Sequence, residues 1–348
     1  MYTLEQTLAD QQDLATLCAD RPRPKGELFT YNSYYGHGRI LKAYAGLPQR
    51  YPLKVVIPHA VYLFERPHLV EELRVALPLN GIYPPHFERI YREASGRPTA
   101  LIASPFLYLC ALLSDQPRPV RRGTLFFPVH SNLSVEAQTN LHELAASLAA
   151  LPEHLHPITI CMYWADYLCG KHQPFVEQGF RIVSAGNRYD PHFLYRFYHL
   201  CSQHQYAASN ELGTSLFLTT ETGCAFFFHG LDIDVSYTKR DTSAAIPRPV
   251  TEATKAQILP LFQQPVDQPT PDQISLVRYY LGHAFLRSPR GLRHQLLAAE
   301  VLDKIAVLRY PAEQQRTWSL PPYVQRRRTQ LLSYVGKIKR ALYKASPR

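Results

Sequence analysis

The stretch TLFFPVHSNLSVEAQTNLHELAASLAALPEHLHPITICMYWAD, residues 124–166, decides the fold class. TLFFPVHS (124–131) is an apolar run that ends in polar residues. Leu141, Leu144, Leu148 and Leu151 then recur at helical spacing, with Ser134 placed as an N-cap, and PITICMYW (157–164) is a second apolar run. The same rhythm continues through a helix to about Gly179, a strand FRIVSAG (180–186) and a helix from Asp190 carrying Phe193, Phe197 and Leu200. After these come a strand YAASN (206–210), a helix LGTSLFLTTETG (212–223) and a strand CAFFFHG (224–230). Five short strands, each running into polar residues and then a helix, predict a doubly wound parallel sheet. Such sheets bind ligands at the carboxyl ends of their strands.

Working outward, the N-terminal half repeats the alternation less regularly. Leu4, Leu8, Leu14 and Leu17 predict an amphipathic helix that ends at RPRPKG (21–26). A strand ELFTYN (27–32), a loop SYYGHG (33–38), a helix RILKAYAG (39–46) and a strand LKVVIPHA (53–60) follow. Pro84 and Pro85 open the helix FERIYREAS (87–95), and the strand TALIASPF (99–106) leads into the helix LYLCALL. The Pro-rich, charged segment SDQPRPVRRG (114–123) reads as a linker between α/β layers at 1–113 and 124–313. Beyond Gly230 the chain reads as extended. Thr270-Pro271-Asp272-Gln273 then opens a helix as a capping box, and Ser288-Pro289 opens another to about Arg309.

Composition narrows the function classes. The chain has 348 residues, 46% hydrophobic and 19% charged, and no run approaches the roughly 20 apolar residues of a membrane span. The first residues lack the basic start and apolar stretch of a signal peptide, and six scattered cysteines form no CxxC pair, so a reducing, cytoplasmic setting is expected. The net charge of +10 is concentrated at the end. Nine of the 38 basic residues lie in 314–348, which has no acid, leaving 29 against 28 acidic residues in the rest. A near-neutral body does not suit a nucleic-acid binder. Leu331, Val335, Ile338 and Leu342 form an apolar stripe opposite Lys337, Arg340 and Lys344. Residues 323–348 therefore read as a basic amphipathic helix for an anionic membrane surface, with docking on the body or a nucleic-acid arm as the other readings.

The candidate chemistry follows from the sheet. Residues directly after the five strands share one edge: His130, Ser131 and Asn132; Tyr163, Trp164 and Asp166; Gly186, Asn187, Arg188 and Asp190; Ser209 and Asn210; His229 and Gly230. Gly213-Thr214-Ser215 opens a helix there, where free N–H groups and hydroxyls suit phosphate oxygens. Each polar residue alone is more often a helix cap; together they mark a ligand edge. GxGxxG and GxxxxGK[ST] motifs are absent, which disfavours dinucleotide and P-loop chemistry. In the first half His37, between Gly36 and Gly38, is placed as a general base with its imidazole exposed. His59 is the competitor and reads as a turn residue. Asp232-Ile233-Asp234 reads as a loop, not a metal-binding DxD, and His199 and His204 share no helix face, so no metal and no cofactor are expected.

HGRILKAYAGLP (37–48) resembles the HG…LK…G segment of the CDP-glycerol glycerophosphotransferase family. The run from ALIASPFLYL (100–109) to AASNELGTSLF (207–217) resembles bacterial surface-polysaccharide glycosyltransferases of GT-B type, the likeness covering about residues 30–230. The resemblance implies an α/β fold of two Rossmann-like domains facing across a cleft, with a C-terminal helical extension. It implies His37 as the base, His130, Ser131, Ser209 and Gly213 to Ser215 at the donor's phosphates and base, and Tyr35, Gly36 and His59 on the acceptor side. The partners it implies are a nucleotide-sugar donor and a glycan or lipid-linked acceptor, at the inner face of the membrane. The chain departs from the pattern at Pro58-His59-Ala60, where a second HG pair is expected. That departure keeps open a non-catalytic, nucleotide-sugar or glycan-binding member.

Overall fold

The structure, a computed structural model, describes residues 2–63, 72–73, 75–117, 119–131, 135–239 and 250–308. The amphipathic stretch 323–348 lies outside the described residues, as do Asn132 and the expected cap Ser134.

The chain is mixed α/β with two parallel sheets. The larger sheet contains β4 (Thr124–Phe127), β6 (Ile158–Cys161), β7 (Arg181–Val183), β8 (Tyr206–Ser209) and β9 (Ala225–Phe228), ordered β7-β6-β4-β8-β9. All four pairings are parallel, and Leu125 lies in register with both Thr159 and Ala207. The strands run outward one way from β4 through β6 to β7, and the other way through β8 to β9. The order therefore reverses between β4 and β8, where a crevice opens beyond the strand ends. The smaller sheet holds β1 (Val55–Val56), β2 (Leu79–Ile82) and β3 (Thr99–Leu101) in that order, also parallel.

Several sequence expectations change. The stretch beyond Gly230, read as extended, holds the helix Glu252–Ile258 as well as a strand, the N-terminal amphipathic stretch is two helices, and β2 was not expected. The residues after β4 do not pass straight into a helix. Val135–Gln138 forms β5, which pairs antiparallel with β10 (Ser236–Lys239), and the helix Leu141–Ala149 starts only after Asn140, whose side chain accepts from Glu143 N at 3.2 Å. Leu144, Ala145 and Leu148 form its buried face. The expected strand ELFTYN is instead an extended approach to a 3₁₀ turn, Thr30–Gly36. Its Asn32 takes the place of a strand neighbour: Nδ2 donates to Val55 O at 2.8 Å and Oδ1 accepts from Ile57 N at 3.0 Å. Gln11 does the same at the far edge of the larger sheet, donating to Ser184 O at 3.0 Å and accepting from Ser184 N at 2.9 Å. A buried carboxamide thus satisfies edge backbone groups that would otherwise be stranded at both sheets. The Thr270 capping box is present with both of its hydrogen bonds.

The first and last described helices cross over. Helices Leu4–Asp10 and Leu14–Cys18 lie against the larger sheet, where the Thr7 hydroxyl meets His199 Nδ1 at 2.8 Å. The last described helix, Pro289–Leu308, returns to the smaller sheet. Gln295 donates to Leu101 O at 3.0 Å, and Lys54 pairs with Asp303 at 3.0 Å. One hydrophobic cluster runs through both sheets, from Val55, Ile57 and Ile102 to Leu125, Val183 and Phe226.

Arg196 is the hub of the N-terminal crossover. It is almost fully buried, bonds Asp190 at 2.7 Å and Asp10 at 2.6 Å, and donates to Ala185 O at 2.9 Å. Removing one partner of a buried ion pair leaves the others desolvated, typically at a cost of about 3–5 kcal/mol. Arg196→Leu is expected to lower unfolding free energy by about 3 kcal/mol, the low end, because Arg21 still reaches Asp190 at 2.9 Å. Urea denaturation checks this, and a change within about 0.5 kcal/mol, the range of ordinary surface substitutions, would contradict it.

Candidate functional site

A cavity of about 390 Å³ lies between the carboxyl ends of the two sheets. His37, His59 and Tyr35 line it from the first half of the chain. His130, Tyr163 and Arg188 line it from the loops after β4, β6 and β7, and Ser209, Gly213, Thr214 and Ser215 from the segment after β8. The remaining expected site residues hold the walls. Ser131 is buried, its hydroxyl accepting from Lys171 at 3.1 Å and Ala137 N at 3.2 Å while its N–H donates to Asp166. Asn210 accepts from Val129 N at 2.7 Å. Gly186 has φ +94°, and a Cβ there would stand 2.9 Å from Leu17.

Gly36 is a joint between the halves. Tyr35 N donates to Arg188 O at 2.7 Å from a left-handed backbone, φ 57°. Gly36 follows at φ +80°, so close to the opposing loop that a Cβ would lie 2.4 Å from Pro191 O. The joint sets His37 at the start of helix His37–Tyr44 and Arg188 across from it. Beneath it, Lys42 and Glu27 form a buried ion pair at 2.5 Å, and the second Glu27 oxygen accepts from Leu53 N.

The flanking glycines do not expose His37. The residue is 5% accessible and its Nδ1 is buried without a hydrogen-bond partner among the described residues. Burial, with the neighbouring His59 adding to it, pulls the His37 pKa down to about 3, so the imidazole is neutral at physiological pH. Gly36 and Gly38 are needed instead for packing, since a Cβ on Gly38 would lie 2.8 Å from Glu27 Oε1.

Arg188 is the charged feature of the opposite wall. Its guanidinium lies over the rings of Tyr34 at 5.0 Å and Tyr189 at 5.1 Å. Its Nε is buried with no hydrogen-bond partner, and no carboxylate pairs with it among the described residues. Burial works against the charge, but the surrounding hydroxyls of Tyr34, Tyr163 and Tyr189 outweigh it, and the pKa is raised. Arg188 is thus a half-buried cation whose Nε keeps an unused donor among the described residues. Beside it Tyr163 stacks on His130 at 4.4 Å. Gly213 has extended backbone and open space where a side chain would stand, and Thr214 begins an eight-residue helix. The Thr214 hydroxyl accepts from Val61 N across the cavity at 3.3 Å.

Sequence reasoning missed Glu72. Its carboxylate is fully buried beneath the cavity, accepts from Tyr91 OH at 2.6 Å and from Tyr62 OH, and lies 3.5 Å from His59 Nδ1. Nothing in the EELRVALP pattern (71–78) distinguishes Glu72 from its neighbour, because its partners come from distant turns of the chain. Asp232 and Asp234 are exposed, and no group of metal-ligating side chains occurs among the described residues.

Comparison with protein-family models, curated proteins and solved structures returns no match for this chain. The site must be read from its own geometry.

That geometry depends on Gly36. Gly36→Ala combines a left-handed backbone with a clash against main chain, and is expected to destabilise the protein by at least about 2 kcal/mol. Thermal or urea unfolding measures it, and wild-type stability would show that the loops part freely.

Proposed function

We propose that the chain is a metal-independent glycosyltransferase of GT-B type, moving a sugar or sugar-like phosphate unit from a nucleotide donor to a cell-surface polysaccharide or its lipid-linked precursor. The observation that carries this reading is Arg188, a cation with no carboxylate partner among the described residues, inside a cavity walled by the ends of two parallel sheets. A donor phosphate at Arg188 would gain a charge-assisted hydrogen bond in a site largely shielded from water. The helix opened by Gly213 and Thr214 adds N–H groups on the same wall, and the Tyr163–His130 stack offers a flat surface to a base or sugar ring. Placing the donor there puts its reacting end toward His37 and His59. Both parallel sheets, and first and last described helices that cross between them, fit a donor side and an acceptor side that close on a shared cavity.

One observation favours the non-catalytic alternative: burial lowers the His37 pKa to about 3 and its Nδ1 has no partner among the described residues, which makes the ring a weak proton acceptor. Turnover separates the two readings. No helix among the described residues is long and apolar enough to cross a membrane, so contact with a lipid-linked acceptor is proposed to be peripheral, through residues 323–348.

The test is binding of UDP-, GDP-, CDP- and CMP-linked sugars, followed by thermal shift and calorimetry with and without chelator. At least one donor is expected to bind, with affinity unchanged by chelator. Arg188→Gln is expected to weaken it at least about 10-fold, the equivalent of a lost charged hydrogen bond of about 1.5–3 kcal/mol. No binding by any donor, or Mn²⁺ dependence lost on replacing Asp232 and Asp234, would refute the proposal.

A further inference from the structure

His59 has the carboxylate that His37 lacks. The Tyr62 hydroxyl touches His59 Nδ1 at 3.0 Å and also donates to Glu72 Oε1. A phenol has one proton, and burial beside Glu72 holds the Tyr62 pKa far above its usual value, so that proton stays on Tyr62 and points at the carboxylate. The Tyr62 oxygen can then meet Nδ1 only as an acceptor. Nδ1 therefore carries the ring proton of the neutral imidazole, and Nε2 carries the lone pair. Glu72, fully buried and held in place by Tyr91, lies close enough to Nδ1 to stabilise positive charge on the ring. This is the base-and-orienter geometry of a general base.

We propose that His59 is the catalytic base of the cavity, with Glu72 and Tyr62 as its positioning residues. This rests on the glycosyltransferase reading. The acceptor O–H bond breaks and its proton passes to His59 Nε2. The acceptor oxygen forms a bond to the donor's anomeric carbon as that carbon's bond to the phosphate oxygen breaks, and the electron pair leaves on the nucleotide, facing Arg188. Among the described residues Tyr31, Tyr34 and His37 also face the His59 ring, and a neutral His37 adds no charge to oppose the imidazolium.

Two measurements on the full chain test it. Long-range ¹H–¹⁵N NMR of the histidine rings, with His59 assigned through His59→Asn, is expected to show the Nδ1–H tautomer when the ring is neutral. The Nε2–H tautomer would overturn the proposal, and this readout needs no substrate. With whichever nucleotide sugar binds, Glu72→Gln is expected to lower kcat at least about 10²-fold with little change in donor KM. Glu72→Asp should restore part of the rate. If Glu72→Gln does not fold, Tyr62→Phe, which keeps the ring, carries the same expectation. An unchanged kcat in the folded variant would overturn the proposal. Absence of donor turnover in the wild-type chain would instead remove the function reading, leaving the tautomer to decide the positioning on its own.

Discussion

The hydrogen bond from Tyr35 N to Arg188 O, with Gly36 pressed on Pro191, is the constraint on which the site depends. It is made by main chain on both sides, so its length does not vary with a rotamer. On one side the chain turns directly into the helix that begins with His37. On the other, Arg188 is held between Tyr34 and Tyr189, with no acid to neutralise it among the described residues. The surrounding tyrosines hold the Arg188 pKa up against its burial in the free protein, and a phosphate would add a charge-assisted hydrogen bond.

The rest of the fold serves to keep this joint closed. Each sheet ends its outer strand on a side-chain amide, Asn32 or Gln11, and both amides belong to segments that lead into the joint or brace it. The N-terminal helices pack on the larger sheet through Arg196, while the helix Pro289–Leu308 packs on the smaller one through Gln295 and the Lys54–Asp303 pair. With the first and last described helices fixed to opposite halves, separating the sheets requires undocking one of them. The Val61–Thr214 bond across the cavity is weaker and longer, which makes the Thr214 side the easier one to open for a ligand.

Much of the larger sheet was legible because apolar runs such as TLFFPVHS and PITICMYW are short, separated by helical spacing and followed by polar residues. Its strand ends then located Tyr163, Arg188 and Ser209 at one edge without further information. The smaller sheet was harder to read: β1 is two residues long, and Asn32 replaces a strand by side-chain hydrogen bonds that leave no periodic signal. The glycines around His37 suggested an exposed ring, whereas they serve close packing, a purpose that local sequence does not distinguish. Ser131 and Asn210 are polar because they satisfy buried main chain and a lysine, the helix-cap type of role that each such residue has by default. Glu72 could not be found at all, since its meaning comes from Tyr62, Tyr91 and His59 meeting in three dimensions.

The central claim is that the cavity between the sheets is where an anionic nucleotide ligand is held. A crystal structure of the chain soaked with CMP or UDP tests it most directly. The expected result is a phosphate oxygen within hydrogen-bond distance of Arg188 Nε, with the base or ribose against the Tyr163–His130 stack. Nucleotide bound elsewhere on the protein, with Arg188 Nε still unpartnered at saturating concentration, would contradict it.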